Sequence, residues 1–269
     1  QLYKEKEVLQ AVSPSDGQVR QEIVNVPGEG FVFGLYNAVD IPFEGGSLLA
    51  DTLVATAVTN SEGKLVFSGY FPHGAYYLHE LSGPAGWKLS TAHIPVNLTA
   101  EQLPSGATAI AIALEEPVHN ELVYFHVTLT KTDITGQETV PGALIEVMNA
   151  TGAVIYRAYT DAQGQIPEIP VVPGAYTFRE VLAPDGYLLN TEEMQFTVAE
   201  DGSIIGNTTL RDDFNRLLLH KVDTAGNPLA GAVFALLDGS GREVMTAVSD
   251  GDGLATFARI PCGKYILRE

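Results

Sequence analysis

The stretch HVTLTKTD, residues 126–133, indicates a strand that carries a lysine in an unusual place. Alternate side chains of a strand point to the same face, so Val127, Leu129 and Lys131 share one face. The two apolar side chains mark that face as the core side. Lys131 therefore points inward, where an isolated charge is unfavourable.

The pattern around this lysine occurs three times along the chain. TLTKTDITGQETVPGALIEV (128–147) matches LLHKVDTAGNPLAGAVFAL (218–236), and TDAQGQIPEIPVVPGAYTFRE (160–180) matches SDGDGLATFARIPCGKYILRE (249–269). A longer copy opens the chain, with Lys4 in its first strand and an insertion before Gly63. We predict three repeats: an enlarged one at 1–120, one at 121–215, and a truncated one at 216–269 that lacks its last strand.

The hydrophobic pattern predicts an all-β protein. Short alternating runs rich in Val, Ile, Thr, Tyr and Phe are separated by Gly, Pro, Asn and Asp turns, and sustained helical periodicity is absent. Only NLTAEQL (97–103) could form one helical turn. We expect a string of small β-sandwiches.

Composition excludes several classes of partner. The 33 acidic and 15 basic residues give a net charge of −18, which argues against binding to nucleic acid or to an anionic membrane surface. No apolar run is long enough to span a bilayer, so we expect no membrane insertion. The opening QLYKEKEV resembles the inside of a strand, which suggests a mature or recombinant fragment. Cys262 is the single cysteine, so an intrachain disulfide is impossible, and we expect it to be buried and inert.

Every repeat places one lysine and one glutamate on the inner faces of its strands. The lysines are Lys4, Lys131 and Lys221, and the glutamates are Glu80, Glu180 and Glu269. A single strand-end charge often extends its head group into water, which is the simpler interpretation. Three occurrences at the same spacing instead favour charges that are partners within one core.

Together these motifs resemble the B-type repeats of Gram-positive collagen adhesins and the SpaA-like pilin domains. The resemblance rests on K-x-D, G-A, T-D-x-x-G, G-x-Y-x-x-x-E and A-P-x-G-Y, which follow one another in TLTKTD…GALIEV…TDAQG…PGAYTFREVLAPDGY (128–187). It implies tandem Ig-like, prealbumin-type β-sandwiches. It also implies an isopeptide bond between the first-strand lysine and an Asn or Asp on the last strand, with the glutamate assisting.

The resemblance can be carried onto individual residues. Asn120 occupies the family's acceptor position and would join Lys4, assisted by Glu80. For Lys131, assisted by Glu180, alternation with Leu210 favours Asp212 as the acceptor. Asp213 and Asn215 remain alternatives for this acceptor. The third repeat ends at Glu269, so Lys221 and Glu269 have no acceptor within this chain.

Other kinds of site find little support. The six histidines have no metal-ligand spacing, so we expect no metal and no cofactor: His73, His79, His93, His119, His126 and His220. SDGDG (249–253) faintly resembles a calcium loop, but a hairpin turn is favoured because the other repeats have turns at that place.

We therefore expect a non-enzymatic stalk segment of an adhesin or pilin on the cell surface or cell wall of a Gram-positive bacterium. The alternative is a module that binds a host extracellular protein or glycan through the insertion of the first repeat, where Tyr36, Phe43 and Trp87 could form an exposed surface. A third possibility is an accessory domain of a secreted enzyme.

Overall fold

The computed structural model describes residues 2–99 and 117–269. These residues form strands, turns and bends and no helix, which confirms the predicted all-β class. Asn97 and Leu98 of the expected helical turn lie in a strand, and residues 100–103 lie outside the described residues. Within the described ranges, no helix is long and apolar enough to cross a bilayer.

The chain divides into two compact units. Unit one consists of Gln1–Gln10, Glu22–Phe125 and Pro170–Pro173, and unit two consists of Ala11–Gln21, His126–Ile169 and Gly174–Glu269. Unit two therefore holds most of the second predicted repeat together with the third. The boundaries of the three repeats at 120 and 215 stay a prediction.

The first repeat is built on two sheets and a small hairpin. Its strands are β1 (Leu2–Val12), β2 (Arg20–Pro27), β3 (Val32–Asn37), β4 (Ile41–Phe43), β5 (Gly46–Leu48), β6 (Leu53–Val58), β7 (Lys64–Leu65), β8 (Gly74–Ser82), β9 (Ile94–Leu98) and β10 (Val118–Asn120). One sheet has the order β10-β1-β2, with β7 also paired to β1, and the other has the order β6-β3-β8-β9. The insertion supplies the β4–β5 hairpin.

The second repeat has the same plan. Its strands are β11 (Phe125–Asp133), β12 (Leu144–Asn149), β13 (Val154–Tyr159), β14 (Gln165–Val171), β15 (Gly174–Leu182), β16 (Met194–Val198), β17 (Ile204–Gly206) and β18 (Thr209–Asp212). They form the sheets β14-β11-β18 and β13-β12-β15-β16-β17. The fold is thus the predicted Ig-like, prealbumin-type sandwich, present in tandem.

The third repeat contains fewer strands. They are β19 (Arg216–His220), β20 (Val233–Leu237), β21 (Glu243–Val248), β22 (Leu254–Ala258) and β23 (Ile266–Arg268), in the sheets β19-β22 and β21-β20-β23. Its core is small, with Phe234, Leu236, Ala255 and Phe257 buried. The SDGDG stretch forms a turn, in which the Asp250 side chain accepts hydrogen bonds from the Asp252 and Leu254 amides. It is not the predicted hairpin turn, because β21 and β22, which it connects, pair in different sheets.

Strand alternation explains why polar side chains enter the core. On β11, Val127, Leu129, Lys131 and Asp133 are all buried, whereas the residues between them are only partly buried. Glu180 is likewise buried on β15, on the same face as Phe178. The period of two therefore carries Lys131 and Glu180 into one interior as surely as it carries their apolar neighbours.

The last strand of each complete repeat lies beside its first strand. β10 pairs with β1 in parallel, with Lys6 opposite Asn120. β18 pairs with β11 in parallel, with Lys131 opposite Leu210 and Asp133 opposite Asp212. The glutamates come from β8 and β15 in the facing sheets. This topology brings the two ends of each repeat together with the glutamate.

Two expectations for the third repeat are wrong. Leu267 is 41% exposed and the Glu269 side chain is 51% exposed, so neither points into a core. The reason is that β23 is the edge strand of the β21-β20-β23 sheet and all three of its residues are exposed, so the small core of this repeat does not reach them. Cys262 is exposed, not buried, because it lies in the turn before β23. The adjacent Asp185 carboxylate raises the pKa of its thiol, which disfavours the reactive thiolate.

Candidate crosslinking sites

Lys4 of β1 is fully enclosed by the first repeat. It is 1% exposed, and its Nζ lies 4.8 Å from the ring centre of Phe31 and 5.9 Å from that of Phe33. Gly28 makes room for the lysine stem, since a Cβ at this position would lie 2.6 Å from Lys4 Cγ. The rings of Phe31 and Phe33 and the absence of a side chain at Gly28 thus form a channel for the long Lys4 side chain.

At the end of this channel, Lys4 meets an amide and a carboxyl group. Its Nζ hydrogen-bonds to Asn120 Oδ1 and lies 3.7 Å from Glu80 Oε2. Asn120 Nδ2 donates a hydrogen bond to Glu80 Oε1 at 2.8 Å, and the Ser90 amide donates to Glu80 Oε2 at 2.8 Å. All three side chains are buried, so the geometry is held away from water.

Burial changes the acidity of the amine. It lowers the pKa of Lys4 to about 8, against the opposing attraction and hydrogen bond of Glu80. Roughly one lysine in ten is then neutral at pH 7. A neutral amine beside a carbonyl carbon is a competent nucleophile.

The second repeat contains the matching set of groups. Lys131 is 1% exposed, and its Nζ bonds to Asp212 Oδ1 and lies 3.5 Å from Glu180 Oε1. The Asn190 amide donates a hydrogen bond to Glu180 Oε2 at 2.8 Å. An aspartate thus stands where the first repeat has an asparagine.

Asp212 has a carboxyl group where the first repeat has the Asn120 amide, so it lacks the N–H group that Asn120 donates to its glutamate. In the described part of the chain, Glu180 Oε1 and Asp212 Oδ2 are buried and receive no hydrogen bond. Burial raises the pKa of Glu180 to about 7, and the nearby charge of Asp212 adds to this, while the hydrogen bond from the Asn190 amide and the charge of Lys131 oppose it. At the equivalent place in the first repeat, Asn120 Nδ2 donates a hydrogen bond to Glu80 Oε1.

Sequence reasoning missed the two backbone donors. Ser90 and Asn190 each follow their glutamate by ten residues, and each amide binds the Oε2 atom of that glutamate. The equal spacing was visible in the sequence. A backbone donor has no side-chain signature, so nothing marked these residues as part of the site.

The two alternative acceptors lie elsewhere. The Asp213 side chain pairs with Arg216 at 2.9 Å and is 40% exposed. The Asn215 side chain donates to the carbonyl of Ile260 at 2.8 Å. Asp212, which is 0% exposed, is the residue that the fold brings to Lys131.

The third repeat pairs its lysine with its glutamate. Lys221 Nζ lies 2.7 Å from Glu269 Oε1, and the two side chains are 28% and 51% exposed. This exposed ion pair differs from the enclosed groups of the other repeats.

The aromatic residues considered for a binding surface mostly pack on their own sandwich. Tyr36 stacks on Tyr77 with ring centres 5.2 Å apart. Trp87 packs edge-on against Phe31, and its Nε1 donates to the Glu7 carbonyl at 2.6 Å. Phe43, at the tip of the β4–β5 hairpin, is 58% exposed. In the ranges 2–99 and 117–269, no group of three or more His, Cys, Asp or Glu side chains is placed to hold a metal ion.

Comparison with known families gives the same fold. The sequence matches the prealbumin-like fold domain of SpaA three times, at residues 25–109, 125–212 and 215–269. The chain belongs to this family. The SpaA-like assignment therefore rests on most of the sequence and on every repeat. A comparison with curated proteins gives no match.

Several solved structures resemble this SpaA-family chain. The Bacillus anthracis TIE protein is 24% identical with a TM-score of 0.52, and the similarity covers 97% of this chain and 52% of that one. The C-terminal fragment of the pilus adhesin SpaC from Lactobacillus rhamnosus GG is 17% identical with a TM-score of 0.40, covering 69% of this chain and 88% of that one. BcpA, the major pilin subunit of Bacillus cereus, is 14% identical with a TM-score of 0.36, covering 98% and 87%.

These similarities concern the fold. The chain spans about half the length of the TIE protein.

Proposed function

We propose that this chain is a stalk segment of a Gram-positive cell-surface adhesin or pilin whose first two repeats crosslink themselves. The crosslinks are isopeptide bonds between Lys4 and Asn120 and between Lys131 and Asp212. The observation that carries the proposal is the enclosed lysine–acceptor–glutamate set, which occurs at equivalent places in both repeats.

In the first repeat, the neutral Lys4 amine attacks Cγ of Asn120. The Nζ–Cγ bond forms, the Cγ–Nδ2 bond breaks, and Nδ2 leaves as ammonia. Glu80, which binds Nδ2, takes a proton from the attacking amine and delivers it to the leaving group. The fixed contacts replace a bimolecular encounter by an intramolecular one.

In the second repeat, the Lys131 amine attacks Cγ of Asp212. The Nζ–Cγ bond forms, one Cγ–oxygen bond breaks, and that oxygen leaves as water with the two protons that the initially charged Lys131 Nζ gives up, one before the attack and one after it. Glu180 serves as the proton carrier, and its raised pKa of about 7 lets it hold a proton near neutral pH. Two buried charges, one amine and one carboxylate, disappear in the product.

The bonds suit a protein that bears tension. Each joins the first strand of a sandwich to its last strand, closing loops of 116 and 81 residues. By the chain-entropy account of crosslinks, each restricts the unfolded chain by about 4 to 5 kcal/mol. Load along the chain then passes through a covalent bond and not through the hydrogen bonds of the sheet.

Recognition of a host protein or glycan has weaker support, because Tyr36 and Trp87 pack within their own sandwich.

The proposed crosslinks are tested by digesting the denatured protein and sequencing its peptides by mass spectrometry. The proposal expects two branched peptides, one containing Lys4 and Asn120 and one containing Lys131 and Asp212. Recovery of the four residues on linear peptides alone would contradict it, and Lys4→Ala and Lys131→Ala proteins are the matched controls.

A further inference from the structure

Asn215 lies in the linker between the second and third repeats, and all of its hydrogen-bonding groups are used. Its amide donates to the Gly186 carbonyl of the second repeat at 3.0 Å. Its carbonyl accepts from the Arg259 amide of the third repeat at 3.0 Å. Its side chain donates to the Ile260 carbonyl at 2.8 Å and accepts from the Ile260 amide at 2.6 Å. One linker residue thus holds both repeats.

Arg259 makes a second set of contacts across the same junction. Its guanidinium pairs with Glu138 and lies 3.5 Å from Asp133 Oδ2, both in the second repeat. It also lies over the rings of Tyr187 and Phe214, at 5.6 and 5.0 Å from their centres. Ion pairs that are reinforced by stacking on aromatic rings fix a guanidinium in both position and orientation.

The backbone at the junction is shaped for close approach. Gly186 has a φ of +89°, and a Cβ there would lie 3.1 Å from Arg259 Cα. Arg259 itself has a φ of +57°, which is uncommon for a residue with a side chain. Such a conformation persists where surrounding contacts hold it, as the Asn215 and Glu138 contacts do here.

The preceding linker differs in sequence at the matching places. The Val123 amide donates to the Gly86 carbonyl at 2.8 Å, just as the Asn215 amide donates to Gly186. The side chain of Val123, however, has no hydrogen-bonding group. In the aligned repeats, Pro170 stands where the third repeat has Arg259. Asn215 and Arg259 are therefore particular to the junction between the second and third repeats.

We propose that Asn215 and Arg259 form an interdomain clamp that holds the second and third repeats in a single orientation. Domains joined by a short linker move relative to each other by default unless their interface is strong. The clamp supplies such an interface directly after β18, the last strand of the second repeat. The inference does not depend on the isopeptide bonds, because each of its contacts is noncovalent and lies outside both enclosed sites.

Residual dipolar couplings measured on the deuterated full chain test the clamp. The expected result is one alignment tensor for the second and third repeats of the natural protein. An Asn215→Val, Arg259→Gln double variant should need a separate tensor for each repeat. The magnitude of the tensor should be several-fold smaller for the third repeat than for the second. Arg242→Gln is the matched control, since Arg242 pairs with Asp238 inside the third repeat.

Two results would overturn the clamp: two tensors in the natural protein, or a single tensor in the double variant. If the double variant fails to fold, the single Asn215→Val variant, which leaves the ion pairs of Arg259 in place, gives the same comparison. The intact masses of the natural protein and of each variant are measured alongside. In the double variant, an unchanged mass deficit with separate tensors supports the clamp. In the natural protein, a missing mass deficit with one tensor counts against the crosslinks alone.

Discussion

The side-chain amide of Asn120 donates a hydrogen bond to Glu80 at 2.8 Å while its carbonyl oxygen accepts one from Lys4. The nitrogen that would leave is therefore already in contact with the group that would protonate it. The attacking amine contacts the other end of the same amide. A static arrangement of this kind resembles the reactants of an amide exchange more closely than it resembles an ion pair.

Replacing the proton carrier should abolish one crosslink and leave the other. Glu80→Gln keeps the size of the side chain but removes its ability to carry a proton, so the Lys4–Asn120 bond should not form. The intact mass of the denatured variant should therefore lie below that of its sequence by one water only, without the loss of one ammonia. Without the bond, the first repeat should lose about 4 to 5 kcal/mol of unfolding free energy, measured by denaturant titration.

The matched control for this variant is Glu62→Gln, because Glu62 is an exposed glutamate that pairs with Lys64. It should retain both crosslinks. Normal loss of ammonia in Glu80→Gln would remove Glu80 from the mechanism.

The acceptor in the second repeat can be exchanged without changing the product. Asp212→Asn should lose ammonia where the natural protein loses water, because an amide nitrogen then leaves in place of an oxygen. The two unreacted chains differ in mass, but the two crosslinked proteins should have identical masses. A persistent mass difference between them would mean that residue 212 is not the acceptor.

The two crosslinks should respond to pH in opposite ways. Burial lowers the pKa of Lys4 to about 8, so the neutral amine becomes scarcer below pH 8 and the first reaction should slow about tenfold per pH unit there. Burial raises the pKa of Glu180 to about 7, so its proton is lost above pH 7 and the second reaction should slow as the pH rises beyond that value.

This prediction is checked by refolding unreacted protein at several pH values and recording ammonia and water loss over time. Parallel pH profiles in the two repeats would show that amide and carboxyl acceptors react by the same limiting step, contrary to this account.

The channel around Lys4 depends on the absence of a side chain at residue 28. Gly28→Ala would place a Cβ 2.6 Å from Lys4 Cγ, so the lysine must shift. Such overpacking should destabilise the first repeat by about 1 to 3 kcal/mol and slow its crosslink. Gly239→Ala is the control, because a Cβ there meets no atom within 4 Å. Equal rates of ammonia loss in the two variants would show that the shape of the channel is unimportant.

Much of the fold followed from the sequence because strand alternation is a local property. The period of two in HVTLTKTD predicted that Lys131 faces inward, and the structure buries it. The same reasoning failed for Glu269, which follows an edge strand whose residues are all exposed. Cys262 was expected to be buried as an apolar thiol, yet it lies in an exposed turn, because the position of a turn outweighs the preference of one residue type.

The candidate sites could be predicted only in part. Alternation with Leu210 favoured Asp212, but Asp213 and Asn215 stayed open because one residue of register decides which side chain reaches Lys131. The backbone donors at Ser90 and Asn190 were not predicted, since every residue offers an amide and only tertiary structure selects two of them. The contacts of Asn215 and Arg259 join different repeats, which repeat-by-repeat reasoning does not consider.

The intact mass of the fully denatured natural protein shows whether both enclosed lysines have reacted. We expect a mass below that of the sequence by one ammonia plus one water, with Lys4→Ala restoring the ammonia and Lys131→Ala restoring the water. A mass equal to that of the sequence would contradict it. The two lysines would then be buried ion-pair partners in a fold that has no crosslink.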